Sequence, residues 1–175
     1  FSINKNFACM LVGLGFDAQV AHDFADSPKR GLATYVQKTL KNFFTSKAYS
    51  FVITTKEKEI KTEAFFISVA NSNQFGNNFT IAPKASLTDG LLDVVIMTKQ
   101  SKLSMLFQTL LQISGFHKVQ RVDIVDERSS LIYFQTESLH IKNLDEAPMH
   151  IDGDPVDVIR ELEFKVKHDC FRLVQ

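Results

Sequence analysis

A mainly antiparallel β fold of the α+β class, built as a two-sheet β-sandwich with two or three peripheral helices, is what the order of residues predicts. Three observations carry it. Hydrophobicity of period two returns at short intervals in Val119–Val125, Leu131–Phe134, Ser138–Ile141, Met149–Asp152, Glu161–Val166 and Cys170–Val174. Two longer arms, Ala48–Thr55 and Ile60–Ala70, flank the charged turn "KEKE" of Lys56 to Glu59 and read as a β-hairpin. Helical spacing is confined to a few stretches before and between these segments.

In chain order, Phe7–Leu14 reads as a short buried strand, with Gly13 and Gly15 permitting a tight or left-handed backbone at its close. Asp17–Ala25 reads as a short helix. Ser27 as N-cap and Pro28 at the first helical position restart a helix that runs to about Thr45, its apolar face formed by Leu32, Tyr35, Val36, Leu40 and Phe43. In the hairpin, "FFISVA" has no polar alternation and is expected to be buried on both faces. Asn71–Asn78 is dense in turn formers, and Leu92–Met97 is a further buried strand. Ser101–Ser114 carries an N-cap serine, apolar residues at helical spacing and Gly115 where a C-terminal glycine belongs.

The chain has 175 residues, enough for one domain with its own core. Lys plus Arg and Asp plus Glu number 20 each, so no broad charge favours nucleic acid or an anionic membrane. The longest apolar runs fall far short of the roughly 20 residues of a membrane span. Cys9 and Cys170 lie in apolar contexts without metal-ligand spacing and read as buried thiols of a reducing compartment, so a cytoplasmic location is expected. No signal peptide pattern opens the sequence, and no methionine leads Phe1, as in a fragment of a longer protein. The 16 phenylalanines are assigned to core packing.

Phosphate-binding glycine loops, the nucleophile elbow and the zinc protease motif are all missing from the sequence. The five histidines, His22, His117, His140, His150 and His168, are scattered and read as ordinary surface or edge residues. Carboxylates remain. Asp152 and Asp154 stand astride Gly153; with Asp152 extended, side chains at i and i+2 project to one side, where such a pair can take a proton from a hydroxyl and hold it in line for attack. A plain β-turn, for which Asp-Gly is one of the commonest signals, is the reading these residues favour when taken alone. Asp89-Gly90 has the same two readings: a turn, or a carboxylate that with freed carbonyls forms part of a magnesium shell completed by water. Asp93, alternating with apolar neighbours, reads as solvated or at a strand edge.

Taken in order, "GLGFDAQV" (Gly13 to Val20), "VANSNQFGNNFTIAPKASLTDGLLDVVI" (Val69 to Ile96) and "HIDGDP" (His150 to Pro155) resemble the C-terminal half of the diacylglycerol kinase-like lipid kinases, the bacterial diacylglycerol/YegS-type group related to sphingosine and ceramide kinases. The resemblance covers nearly the whole chain. It implies that residues 1–175 are the C-terminal β-sandwich of a two-domain enzyme, whose N-terminal domain carries a G-G-D-G-T nucleotide loop that this sequence lacks. It further implies ATP as phosphoryl donor, a lipid acceptor, and Mg2+ held by the Asp89 carboxylate with main-chain oxygens of Ser86 and Leu91. The family's D-G-E motif maps onto Asp152, Gly153 and Asp154, the last acid being the proton acceptor and Asp152 sharing its role. Here an aspartate replaces the family's glutamate, one methylene shorter, and a displacement on the order of 1 Å can lower a rate about 100-fold.

The leading expectation is therefore the acceptor-side domain of an ATP-dependent lipid kinase, inactive by itself. Its expected partners are the lipid and the N-terminal nucleotide-binding domain, with no nucleic acid, and with peripheral membrane contact and a homodimer left open. The alternatives are an NAD kinase-related domain and a non-catalytic sandwich that binds a lipid or a partner protein.

Overall fold

The computed structural model describes residues 1–27, 39, 41–43, 45–73, 82, 84–99, 131–168 and 170. The helix expected over 101–114, the strand over 119–125 and most of the one over 170–174 lie outside the described residues, as does most of the helix expected to start at Ser27. Residues 39, 41–43 and 45 of that last segment are helical. In chain order the elements are β1 (Ser2–Ile3), β2 (Asn6–Phe7), β3 (Leu11–Gly15), α1 (Phe16–Ala25), β4 (Tyr49–Thr54), β5 (Glu59–Ala70), β6 (Leu92–Thr98), β7 (Leu131–Thr136), β8 (Ser138–Asn143), β9 (Met149–Ile151), β10 (Asp154–Val156) and β11 (Glu161–Lys165). No helix among the described residues is long and apolar enough to cross a membrane.

All strand pairings among the described residues are antiparallel, as the period-two pattern predicts, and the two layers arise from a fork in β5. Ala64 pairs with Tyr49 of β4 and also with Thr98 of β6, while residues 66–70 pair with β3 and again with β6. Since β6 occupies one edge of β5 from Ala64 to Ala70, β4 and β3 must follow one another along the other edge. The register shifts between Ala64 and Phe66, where the sheet divides. One layer runs β10-β9-β3-β5-β6-β7, and the other runs from the first half of β5 through β4, β8, β11 and β1 to β2.

Side chains alternate accordingly. Val12, Leu14, Ile67, Val69, Leu92, Val94 and Ile96 of the first layer meet Ile3, Phe51, Ile53, Leu139, Ile141, Leu162 and Phe164 of the second in one buried core. Each such side chain contributes about 1.5–3 kcal/mol by leaving water. On the outer face of the first layer, Leu11, Ala70, Val95 and Tyr133 form a smaller cluster closed by Ala82 and Ala85.

Three expectations change. The strand expected over Phe7–Leu14 is interrupted between β2 and β3, because the N–H groups of Cys9, Met10 and Leu11 all bond a side chain from the far end of the chain, the Asp152 carboxylate. Cys9 lies in that interruption and is exposed, and Cys170, past the last strand, is exposed as well, so neither is a buried thiol. β10 is an added strand that contains Pro155, which fits because β10 ends the strand order of the described residues, where no ladder bond is asked of the proline on its outer side.

Asn143, at the end of β8, is buried and ties down the following loop: its Nδ2 donates to the Ala147 carbonyl at 2.9 Å, and its Oδ1 accepts the Ala147 N–H at 2.8 Å. Asn143→Ala leaves both backbone groups without these partners and is expected to lower unfolding stability by about 2–4 kcal/mol in urea melts, since each orphaned buried group costs about 1–3 kcal/mol.

Candidate active site

The pairing registers draw one row straight across the first layer. Asp152 N–H donates to the Leu11 carbonyl at 2.8 Å, Leu11 pairs with Ala70, Ala70 with Asp93, and Asp93 with Gln135. The Asp152-Gly153 turn and the loop that precedes β6 therefore leave the sheet at the same end. From β9 to β6 is three strand steps, roughly 14 Å at about 4.8 Å per step. Asp89 and Asp154 thus share a rim without touching.

At the β9–β10 turn, Asp152 and Gly153 have φ of 52° and 93°. Both residues are left-handed, the signature of a two-residue type I′ hairpin turn, which Asp-Gly suits. An extended Asp152, with its side chain parallel to that of Asp154, is thereby ruled out. Asp152 points back instead, and its Oδ2 accepts Cys9 N–H at 2.8 Å while Oδ1 accepts the N–H groups of Met10 and Leu11 at 2.8 and 2.9 Å. This carboxylate organises the backbone. Asp154, at the start of edge strand β10, is exposed.

In the loop before β6, Asp89 is exposed and its Oδ1 accepts Leu91 N–H at 2.9 Å. Ser86 Oγ lies 3.2 Å from Thr88 Oγ1, and Gly90 has a φ of 75°. The turn offers one exposed carboxylate and main-chain oxygens, a hard-oxygen donor set.

Asp93 is fully buried, not solvated or at an edge: its side chain points to the outer face that Ala82 and Ala85 close. It is paired: the Tyr133 hydroxyl donates to Oδ1, and Gln135 Nε2 donates to Oδ1 and Oδ2 at 3.2 and 3.3 Å. Burial raises its pKa above the usual carboxylate range, with the Tyr133 and Gln135 bonds opposing. Burial first, and then the adjacent Asp93, push the Tyr133 phenol well above its ordinary value. Lys84 Nζ lies 5.8 Å from the Tyr133 ring centroid. His150 is also buried rather than at a surface or edge, with Nε2 3.5 Å from Asp17 Oδ2.

The sequence profile of a family described as the YegS C-terminal NAD kinase beta sandwich-like domain matches residues 10–171. The chain belongs to this family. A protein of Shewanella frigidimarina (strain NCIMB 400) named "Probable lipid kinase YegS-like" is 25% identical over 173 residues, which are 98% of this chain and 53% of that protein. The chain thus spans about half the length of this relative. A crystal structure of a diacylglycerol kinase from Bacillus anthracis str. Sterne superposes with a TM-score of 0.57 at 12% identity, over 94% of this chain and 49% of that one. A second structure from the same organism gives 0.63 at 16% identity over 93% and 50%. These superpositions show the sandwich fold.

Of the residues singled out by sequence, the fold brings Asp152, Asp154, Ser86, Asp89 and Leu91 of this YegS-type domain to one end of one layer. It separates the two acidic turns by β3 and β5. Asp17 carries no site expectation from sequence, and Asp93 and His150 read from sequence as solvated, surface or edge residues. For Asp93 a signal was present: a lone acid inside "LLDVVI", a run with no polar alternation to carry it outward.

The two acids of the turn should separate in stability. Asp152→Asn puts an amide NH2 where an oxygen accepts backbone N–H, and is expected to lower unfolding stability by about 2 kcal/mol or more. Asp154→Asn, on an exposed side chain, should stay within about 0.5 kcal/mol of the parent in the same urea melts.

Proposed function

We propose that this chain is the acceptor-side domain of an ATP-dependent lipid kinase, which transfers the γ-phosphate to a hydroxyl of diacylglycerol or a related lipid. One observation carries the reading: the Asp152-Gly153 turn is locked to the backbone at 9–11, and this leaves Asp154 exposed on the rim that also bears the Asp89 turn. In the reaction the lipid hydroxyl donates to the Asp154 carboxylate, which orients it in line with the phosphoryl group and receives its proton as the new P–O bond forms. A transition state with little early bond formation needs positioning more than strong basicity. Asp152 shapes the turn, since its oxygens are engaged by three N–H groups, and has no direct part in the proton transfer.

Mg2+ would be held by the Asp89 carboxylate with main-chain oxygens of Ser86 and Leu91; bound there, it supplies positive charge and fixes the loop before β6. The nucleotide belongs to an N-terminal domain capping this rim, in a cytoplasmic enzyme that meets its lipid at the membrane surface. Likeness to the NAD kinase sandwich makes NAD the competing acceptor.

In the full-length protein, labelled phosphate from ATP should appear on diacylglycerol in mixed micelles with magnesium and not on NAD, and residues 1–175 alone should transfer none. Asp154→Asn should lower kcat by about 100-fold or more with an unchanged melting temperature. Turnover equal to the parent would remove Asp154 from the mechanism. Asp89→Ala should raise the magnesium concentration needed for half-maximal rate, and indifference to that change would refute the cation role.

A further inference from the structure

Three elements converge over Gly13. A Cβ there would lie 2.2 Å from Asp17 Oδ2 and 2.4 Å from His150 Nε2, so the glycine is what admits these two side chains to the outer face of β3. Both are almost fully buried, His150 at 2% and Asp17 at 7% exposed. Asp17 sits in the first turn of α1, where Oδ1 accepts Ala18 N–H at 2.9 Å. His150 sits at the centre of β9 and pairs with Gly13.

The other ring nitrogen reaches the turn. Gly153 N–H donates to His150 Nδ1 at 3.1 Å. A ring nitrogen that accepts carries no proton, so the neutral ring bears its hydrogen on Nε2, the atom 3.5 Å from Asp17 Oδ2. The same tautomer bars Nε2 from ligating a metal. A hydrogen bond keeps α1 against this strand: His22 Nε2 donates to the Met149 carbonyl at 3.0 Å. An aliphatic pair would fill the same space without burying a carboxylate. It would not give the Gly153 amide a fixed acceptor one residue before Asp154.

We propose that Asp17 and His150 are positioning residues for the phosphoryl-acceptor turn: Asp17 sets the tautomer and orientation of His150, whose Nδ1 holds the Gly153 amide and with it the direction in which Asp154 leaves the turn. This rests on the reading of Asp154 as the group that faces the lipid hydroxyl. Partners of this kind, one shell behind a reacting group, change activity by about 10- to 100-fold when removed.

The test uses the full-length protein. Ring 15N shifts of His150 should show Nδ1 unprotonated and Nε2 protonated in the parent; the reverse pattern overturns the proposal without any variant. Asp17→Asn should lower kcat by about 10- to 100-fold, leave KM for ATP unchanged and speed hydrogen exchange at the Gly153 amide. His150→Asn, whose Oδ1 can stand where Nδ1 stood, should retain more kcat than His150→Leu. Parental kcat and Gly153 exchange in Asp17→Asn, or kcat losses that merely track melting temperature across the three variants, would reduce the pair to packing. If the parent phosphorylates no lipid, the proposed function fails, and the ring shifts with Gly153 exchange still decide whether the pair holds the turn.

Discussion

The long strand β5 belongs to both layers of the sandwich, and the geometry of the rim depends on it. Its first half carries β4 and its second half β3 along the same edge, with the register shift near Phe65 between them. A one-residue slip of β5 would turn Ile67 and Val69 out of the core and bring Phe66 and Ser68 in. The apolar inner face therefore fixes the register, and the register fixes which residues stand side by side at the end of the sheet. Neither acidic turn contacts the other, yet both are placed by the same row of backbone pairs.

The two faces of the first layer differ in a way that packing alone does not require. Inward, β3, β5 and β6 present only aliphatic side chains to the core. Outward, the same strands and their neighbours bury Asp93 against Tyr133 and Gln135, and His150 against Asp17. Buried charge and hydrogen-bonding groups usually give less stability than apolar side chains of the same shape. Here both groups lie close to an acidic turn: Asp93 is the second residue of the strand that the Asp89 loop enters, and His150 stands two residues before Asp152. Directional bonds define the backbone at these turns, whereas apolar packing would only fill the space.

Local pattern made the long elements legible. Alternation gave β4, β5, β7, β8, β9 and β11 to within a few residues, and an unbroken apolar run gave β6, because in these segments the side-chain period and the burial of the face agree. What stayed hidden was set by partners distant in sequence. Nothing near Cys9 foretells that its N–H bonds a carboxylate 143 residues away, so the interruption between β2 and β3 read as continuous strand. β1 and β2, two residues each, are too short for any period to register. The burial of Asp93 and His150 depends on Ala82 and Ala85 and on α1 lying over the outer face, contacts that no window around either residue contains. The acidic turns were found through composition, but the split of Asp152 and Asp154 into a backbone organiser and an exposed acid needed the left-handed turn itself.

That split bears on the shortened acid. In the proposed reaction, a glutamate at the position of Asp154 would have an extra torsion with which to meet the acceptor hydroxyl; an aspartate has one fewer and must rely on its backbone. Asp154 begins a three-residue edge strand, where a backbone would ordinarily fray. Four bonds oppose that. Asp152 accepts the N–H groups of Cys9, Met10 and Leu11, and its own N–H returns to the Leu11 carbonyl, so the residue two before Asp154 is fixed to β3 through both backbone and side chain. The register then does the rest, since Asp154 pairs with Ile151 and Val156 with Met149, whose side chains reach the core. A short acid on a firmly held backbone gives up reach and keeps direction, the property that the proposed role of Asp154 needs most.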